Sequence, residues 1–102
     1  MNMTTWLHEQ ALLVRSALLA GNLNEARNAL RFTFEDGDST NGLVRPVQII
    51  RLALFPMSRE NLDKAWRTFR DQAEETFTAH DDLDGEIRMY MYAVLKERRT
   101  FG

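Results

Sequence analysis

The chain has 102 residues, which is long enough for one domain with a single hydrophobic core. A hydrophobic share of 44% and a charged share of 27% are those of an ordinary globular protein and exclude intrinsic disorder. The net charge of −2 gives no overall attraction to nucleic acid or anionic membranes, and the lack of cysteine excludes disulfides and thiolate metal sites.

The first predicted helix runs from Trp6 to Ala20, with Thr5 as its N-cap and Gly21 just past its end. It is apolar around nearly its whole circumference. At 100° per residue its apolar positions form three stripes: Leu7, Ala11, Val14 and Leu18; Trp6, Leu13, Ala17 and Ala20; and Leu12 and Leu19. One core face cannot cover all three, so we expect either a core that wraps around this helix or a second protein surface.

The second predicted helix begins with a capping box, Asn22 and Glu25, and runs to about Phe34. Its buried stripe is expected to contain Leu23, Ala26, Leu30 and Phe34. A strand over residues 31–34 is the alternative, since these residues alternate in polarity and a turn dipeptide, Asp36-Gly37, follows them. The helix is the simpler interpretation because the preceding turns are helical in both pattern and capping.

A polar loop over residues 35–42 precedes a short third helix, which begins at Pro46 and is stopped by Pro56 after Phe55. Its main stripe is Val47, Ile50 and Leu54, and Ile49, Leu52 and Ala53 cover much of the remaining surface. A helix that is apolar on most sides belongs in the centre of a bundle. We therefore expect the third helix to lie there.

Ser58 is the predicted N-cap of the fourth helix, and Met57 with Leu62 occupies the positions of a hydrophobic staple. The helix ends near His80, and its stripe contains Leu62, Trp66, Phe69, Ala73 and Phe77. The fifth helix begins after Asp81 or Asp82, with Leu83, Ile87, Tyr90 and Val94 as its stripe. The pattern thus predicts an all-α protein, a compact bundle of about five helices in a single helical domain over residues 1–102.

A weak internal repeat allows a second arrangement of these helices. Residues 22–31 and 61–70 agree in character at an offset of 39, and residues 21–26 are similar to the turn between the paired helices of tetratricopeptide arrays. This predicts two stacked helical hairpins followed by a C-terminal helix. The simpler interpretation is that two amphipathic helices with the same capping chemistry look alike.

Motifs for catalysis and for metal or cofactor binding are missing from the sequence. Neither His8 nor His80 completes a Glu-x-x-His or His-Glu-x-x-His motif. The residues His80 to Asp84 could hold a cation, but aspartates at this point also fit a helix start, and the calcium-like run 36–40 lacks the glycine and glutamate of a calcium loop. We predict that the protein is not an enzyme and has no cofactor, metal or small-molecule substrate.

The charges are unevenly distributed along the chain. Six basic residues lie between Arg45 and Arg70, whereas residues 71–86 contain seven acidic residues and no lysine or arginine. Arginine outnumbers lysine eleven to two, which fits specific contacts and equally fits a GC-rich bacterial genome. The candidate contacts to nucleic acid or to an acidic partner are Arg59, Lys64, Arg67 and Arg70, supported by Arg98 and Arg99.

Exposed apolar residues favour a protein partner more directly. Leu12 and Leu19 on the first helix, and Met89 and Tyr92 on the fifth, point away from the predicted core stripes. The start of the chain lacks a basic, cleavable leader, and no apolar run is long enough for a membrane span. We therefore expect a cytoplasmic bacterial adaptor, chaperone-like factor or regulator that binds a protein or forms a homodimer. The alternative is a small nucleic-acid-associated transcriptional regulator that uses the fourth helix.

Overall fold

A computed structural model describes residues 3–35, 44–77 and 82–101, which form five α-helices. These are α1 (Met3–Leu19), α2 (Leu23–Glu35), α3 (Val44–Leu54), α4 (Arg59–Thr76) and α5 (Asp82–Phe101). The predicted all-α bundle of five helices is confirmed. The described residues contain no strand, and residues 31–34 are the last turn of α2. Glu35, predicted to begin the polar loop, is the last residue of α2, and residues 36–42 lie outside the described residues.

Three predicted helix ends are wrong. Helix α1 begins at Met3, so Thr5 lies inside the helix and is not its N-cap. Helix α3 begins at Val44 rather than at Pro46, and α4 ends at Thr76 rather than near His80.

The turn between α1 and α2 forms where the sequence predicts it. Gly21 has a φ of 79°, and the amides of Gly21 and Asn22 donate to the carbonyls of Leu18 and Ala17, which is the Schellman arrangement. Asn22 Oδ1 then accepts from the amide of Glu25 at 3.2 Å, as half of the predicted capping box. Because one residue ends α1 and the next caps α2, the two helices are joined by a tight turn.

The core is formed by one face of each helix, and α3 contributes four residues with no exposed surface: Ile49, Ile50, Ala53 and Leu54. The predicted α2 residues Leu23, Ala26 and Leu30 are also fully buried, whereas the side chain of Phe34 lies outside the described part. In α4, Leu62, Phe69, Ala73 and Phe77 are buried and Trp66 packs partly against them. The predicted central place of α3 thus agrees with its burial.

The predicted stripe of α5 is rotated from the observed one. Leu83 and Tyr90 are only partly buried, while Met91 and Leu95 are almost completely buried beside Ile87 and Val94. The difference arises because α5 packs against α2, α3 and α4 at once, so its buried face is wider than a single stripe.

Side chains of α4 hold the turn between α1 and α2. Gln72 donates to the carbonyl of Gly21 at 2.6 Å and accepts from the amide of Leu23 at 3.0 Å. Thr68 donates to the carbonyl of Leu18 at 3.1 Å within the core. Backbone groups that neither helix can satisfy at its own end therefore find partners on a third helix.

A buried carboxylate joins α2 to the first turn of α5. Asp84 is 1% exposed, and its two oxygens accept from Arg27 Nη1 at 3.2 and 3.3 Å. Arg31 also forms an ion pair with Asp84. Asp84 thus lies in the first turn of α5, as the helix-start interpretation expects. The sequence did not indicate that it is also buried inside the bundle between two arginines.

The described packing favours one bundle over two stacked hairpins. Helix α3 packs on α1, α2 and α5, whereas α4 packs on α1, α2 and α5 from its own side. Among the described residues α3 and α4 share almost no packing, so they do not form a second hairpin. No helix in the described ranges is long and apolar enough to cross a membrane.

Candidate partner-binding cleft and cationic groove

A cleft of about 560 Å³ lies between α1, α3 and α5, next to the C-terminal end of α3. Its wall is mostly apolar. It is lined by His8, Arg15, Arg51, Leu52, Phe55, Pro56, Val94, Glu97 and Arg98. This volume is within the range of ordinary ligand or side-chain binding pockets.

Arginines occur in this wall because the end of α3 exposes carbonyl groups with no partner in the helix. Arg15 reaches across from α1 and donates from Nε to Ala53 O at 2.9 Å and from Nη2 to Leu52 O at 3.1 Å. Cationic donors are also favoured at the negative end of the helix dipole. The same contacts fix the positions of α1 and α3 on either side of the cleft.

Arg98 performs a similar role from α5 and contacts Phe55 in two ways. Its Nη2 donates to the carbonyl of Phe55 at 2.9 Å, and its guanidinium lies 5.0 Å from the centre of the Phe55 ring. Arg98 Nε is buried and has no hydrogen-bond partner among the described residues. Across the opening, Arg51 pairs with Glu97 at 3.4 Å.

Phe55 is the most exposed large apolar residue of the described chain, with 71% of its surface accessible. The hydrophobic pattern places Phe55 at the end of α3 and does not predict this exposure. The one feature of the sequence that points to it is Pro56, because the helix stops there and the side chain of Phe55 leaves the buried stripe. Leu13, on the second of the three apolar stripes predicted for α1, is also exposed, at 56%.

The four residues predicted to bind protein lie in two places. Leu12 is 53% exposed on α1, and Met89 and Tyr92 are 60% and 46% exposed on α5. Leu19 does not share this exposure, because it packs partly against the core, as does Trp6. Helices α1 and α5 each pack on α2, α3 and α4 but have little contact with each other, so these residues do not form one continuous patch.

The four basic residues predicted to contact nucleic acid or an acidic partner, Arg59, Lys64, Arg67 and Arg70, also do not lie on one surface. Arg67 and Arg70 line a groove of about 330 Å³, and Arg59 lines an adjoining groove of about 430 Å³ between α4 and α5. Both include Asp63, Trp66 and Arg99, and we call them together the cationic groove. Lys64 borders neither one, although it is one helical turn from Glu60 and Arg67. The four residues therefore do not act as one stripe.

Stacked side chains form the floor of the cationic groove. The rings of Trp66 and Tyr92 are 5.6 Å apart, Arg99 lies 5.4 Å from the Trp66 ring and Lys96 lies 5.7 Å from the Tyr92 ring. Arg99 is also held by Asp63 at 3.2 Å. Arg98, expected from sequence to assist this surface, instead faces the cleft.

The described residues contain no group of three histidine, aspartate or glutamate side chains that could hold a metal. Asp84 is bound by arginines, and Ser58 caps α4 by accepting from the amide of Asn61 at 3.2 Å. His80, Asp81 and the calcium-like run 36–40 lie outside the described residues.

Comparison with known proteins gives no relative for this chain: no protein-family model, no curated protein and no solved structure matches it. The cleft and the cationic groove are therefore the guides to its function.

Proposed function

We propose that this protein is a non-enzymatic protein-binding module, an adaptor, chaperone-like factor or regulator in the bacterial cytoplasm, and that the cleft between α1, α3 and α5 is its main docking surface. The observation that supports this proposal is the exposed ring of Phe55 beside a mostly apolar cleft of about 560 Å³. Apolar pockets of this kind accept the anchor side chains that dominate the affinity of protein interfaces.

The charge around the cleft indicates the chemistry of the partner. Arg15, Arg51 and Arg98 outnumber Glu97, so the rim is positive although the chain as a whole is negative. Complementary charge speeds association and sets specificity. The fitting occupant is a partner segment with an aliphatic or aromatic anchor next to aspartate or glutamate. The anchor enters between Leu52, Phe55 and Val94, and the carboxylates face the arginines.

The pre-formed wall favours binding. Two of the three arginines are already held by carbonyls at the end of α3, so little side-chain freedom remains to be lost when a partner arrives. Leu12 lies on the side of α1 that includes His8 and Arg15, and it extends the apolar surface beyond the cleft.

A random peptide library displayed on phage tests this proposal. We expect selection on the purified chain to enrich peptides with a large apolar residue next to acidic ones, and we expect NMR shift changes at Leu52, Phe55 and Val94. Phe55→Ala should abolish enrichment, and Arg51→Glu should shift preference toward basic peptides. Arg67→Glu, an equal charge reversal on α4, is the control and should leave the selected sequences unchanged.

Two results would contradict the proposal. One is enrichment that survives both cleft variants. The other is a doubled mass in light scattering that Phe55→Glu restores to the monomer value, since the occupant would then be a second copy of this chain.

A further inference from the structure

The cationic groove is the second unexplained surface, and it concentrates positive charge on a chain that is negative overall. Its two parts are lined by five cations, Arg59, Arg67, Arg70, Lys96 and Arg99, and by two carboxylates, Glu60 and Asp63. The groove thus has a local charge of +3, whereas the whole chain has a net charge of −2. Such a separation attracts an anionic partner to one face.

Three of these cations remain available to a ligand. Asp63 neutralises Arg99, and Asp71 lies 3.2 Å from Arg70. Within the described ranges, Arg59, Arg67 and Lys96 have no carboxylate partner. They lie on both sides of the aromatic floor.

The aromatic floor gives the groove a feature that a simple basic patch lacks. Tyr92 is 46% exposed, and its ring packs against the ring of Trp66. Trp66 in turn contacts the ring of Phe69 and the guanidinium of Arg99. Exposed aromatic rings next to cations are the elements with which proteins hold unpaired bases, because every base can stack on a ring. These cations and rings line a groove shared by α4 and α5, whereas a recognition helix reads the major groove of a duplex with the side chains of one helix.

We propose that the cationic groove binds single-stranded nucleic acid, with a base stacked on Tyr92 and phosphates bound by Arg59, Arg67 and Lys96. This binding is separate from the cleft and does not depend on the protein partner proposed above. It refines the expectation of nucleic-acid contact: Arg59 and Arg67 contribute, Lys64 does not, and α5 supplies half of the site.

The chain has two tryptophans, Trp6 and Trp66, and Trp66 lines the cationic groove, so tryptophan fluorescence can report binding there. In a Trp6→Phe background Trp66 is the only tryptophan. We expect oligothymidylate or oligouridylate of about 12 nucleotides to quench Trp66 in a saturable way, since small single-strand sites hold about 4 to 16 nucleotides. With three free cations and about −0.7 per phosphate contact on single strands, the logarithm of affinity should fall with the logarithm of salt with a slope of about −2.

Variants separate stacking from charge. Tyr92→Leu should weaken binding by about 5- to 150-fold, the range that corresponds to loss of one stacked base. Arg59→Glu with Arg67→Glu should remove measurable binding at about 150 mM salt, where exposed charges still act over about 8 Å. Lys64→Gln, on the same helix but outside the groove, is the control and should weaken binding far less than the double variant does.

The proposal is overturned by any of four results: tighter binding to duplex than to single strands, equal binding of heparin or polyglutamate, binding unaffected by Tyr92→Leu, or no quenching at low salt. If Trp6→Phe impairs folding by circular dichroism, the parent chain is compared with Trp66→Phe, and the quenching must disappear in the latter.

Discussion

Replacement of the buried Asp84 tests how much its ion pairs with Arg27 and Arg31 contribute to the free energy of unfolding. Asp84→Asn keeps the size of the side chain but removes the charge that Arg27 and Arg31 share. Removal of one member of a buried ion pair costs about 3 to 5 kcal/mol. The side chains of Arg27 and Arg31 are 19% and 24% exposed, so water compensates in part, and we expect a loss of about 2 to 4 kcal/mol.

This loss is large beside the roughly 5 to 15 kcal/mol that stabilises a whole domain. Urea unfolding followed by circular dichroism should show a lower midpoint with an unchanged slope, and Tm should fall by about 8 to 30 °C. Asp63→Asn is the control, because it breaks an exposed pair with Arg99 and should cost less than about 1 kcal/mol. An Asp84→Asn protein as stable as the parent would refute the buried ion-pair network.

Two further substitutions test the turn between α1 and α2. Gly21→Ala should destabilise the fold by about 1 to 2 kcal/mol because Gly21 has a φ of 79°. Gly85→Ala is the control: Gly85 is an exposed helical residue with open space around it, so this change should stabilise the fold by about 0.5 to 1 kcal/mol. Equal effects of the two substitutions in thermal melts would contradict this reasoning. Gln72→Leu should cost about 1 to 3 kcal/mol in urea unfolding, since it leaves Gly21 O and Leu23 N without their partner, and a neutral result would show that neither bond matters.

Local chemistry was enough to predict the helices. Gly21 and Ser58 marked helix ends through the conformation and the hydrogen bonds that a single residue can supply, and the α2 stripe followed from its 3.6-residue period. These features depend on neighbours only a few positions away. The number and order of the helices could therefore be obtained without knowledge of their packing.

The remaining features depend on residues far apart in the sequence. Asp84 is buried because Arg27 and Arg31 lie 57 and 53 positions earlier, and hydrophobic periodicity counts all three simply as polar. The setting of Phe55 likewise depends on Arg98, 43 positions later. Leu19 packs partly against the core although it was expected to be exposed, and Leu13 is exposed, because an all-round apolar helix does not itself indicate where its neighbours lie.

The Asp84 ion pairs also determine when the protein can finish folding during synthesis. Asp84 follows Arg31 by 53 positions, and at about 5 to 20 residues per second the ribosome needs roughly 3 to 11 s to add them. During that interval α2 has already been made with both arginines, but their counter-ion arrives only as α5 begins. Until then Arg27 and Arg31 lack that partner, and a chain that stalls before Asp84 leaves the faces of α2, α3 and α4 that α5 covers open to chaperones and proteases.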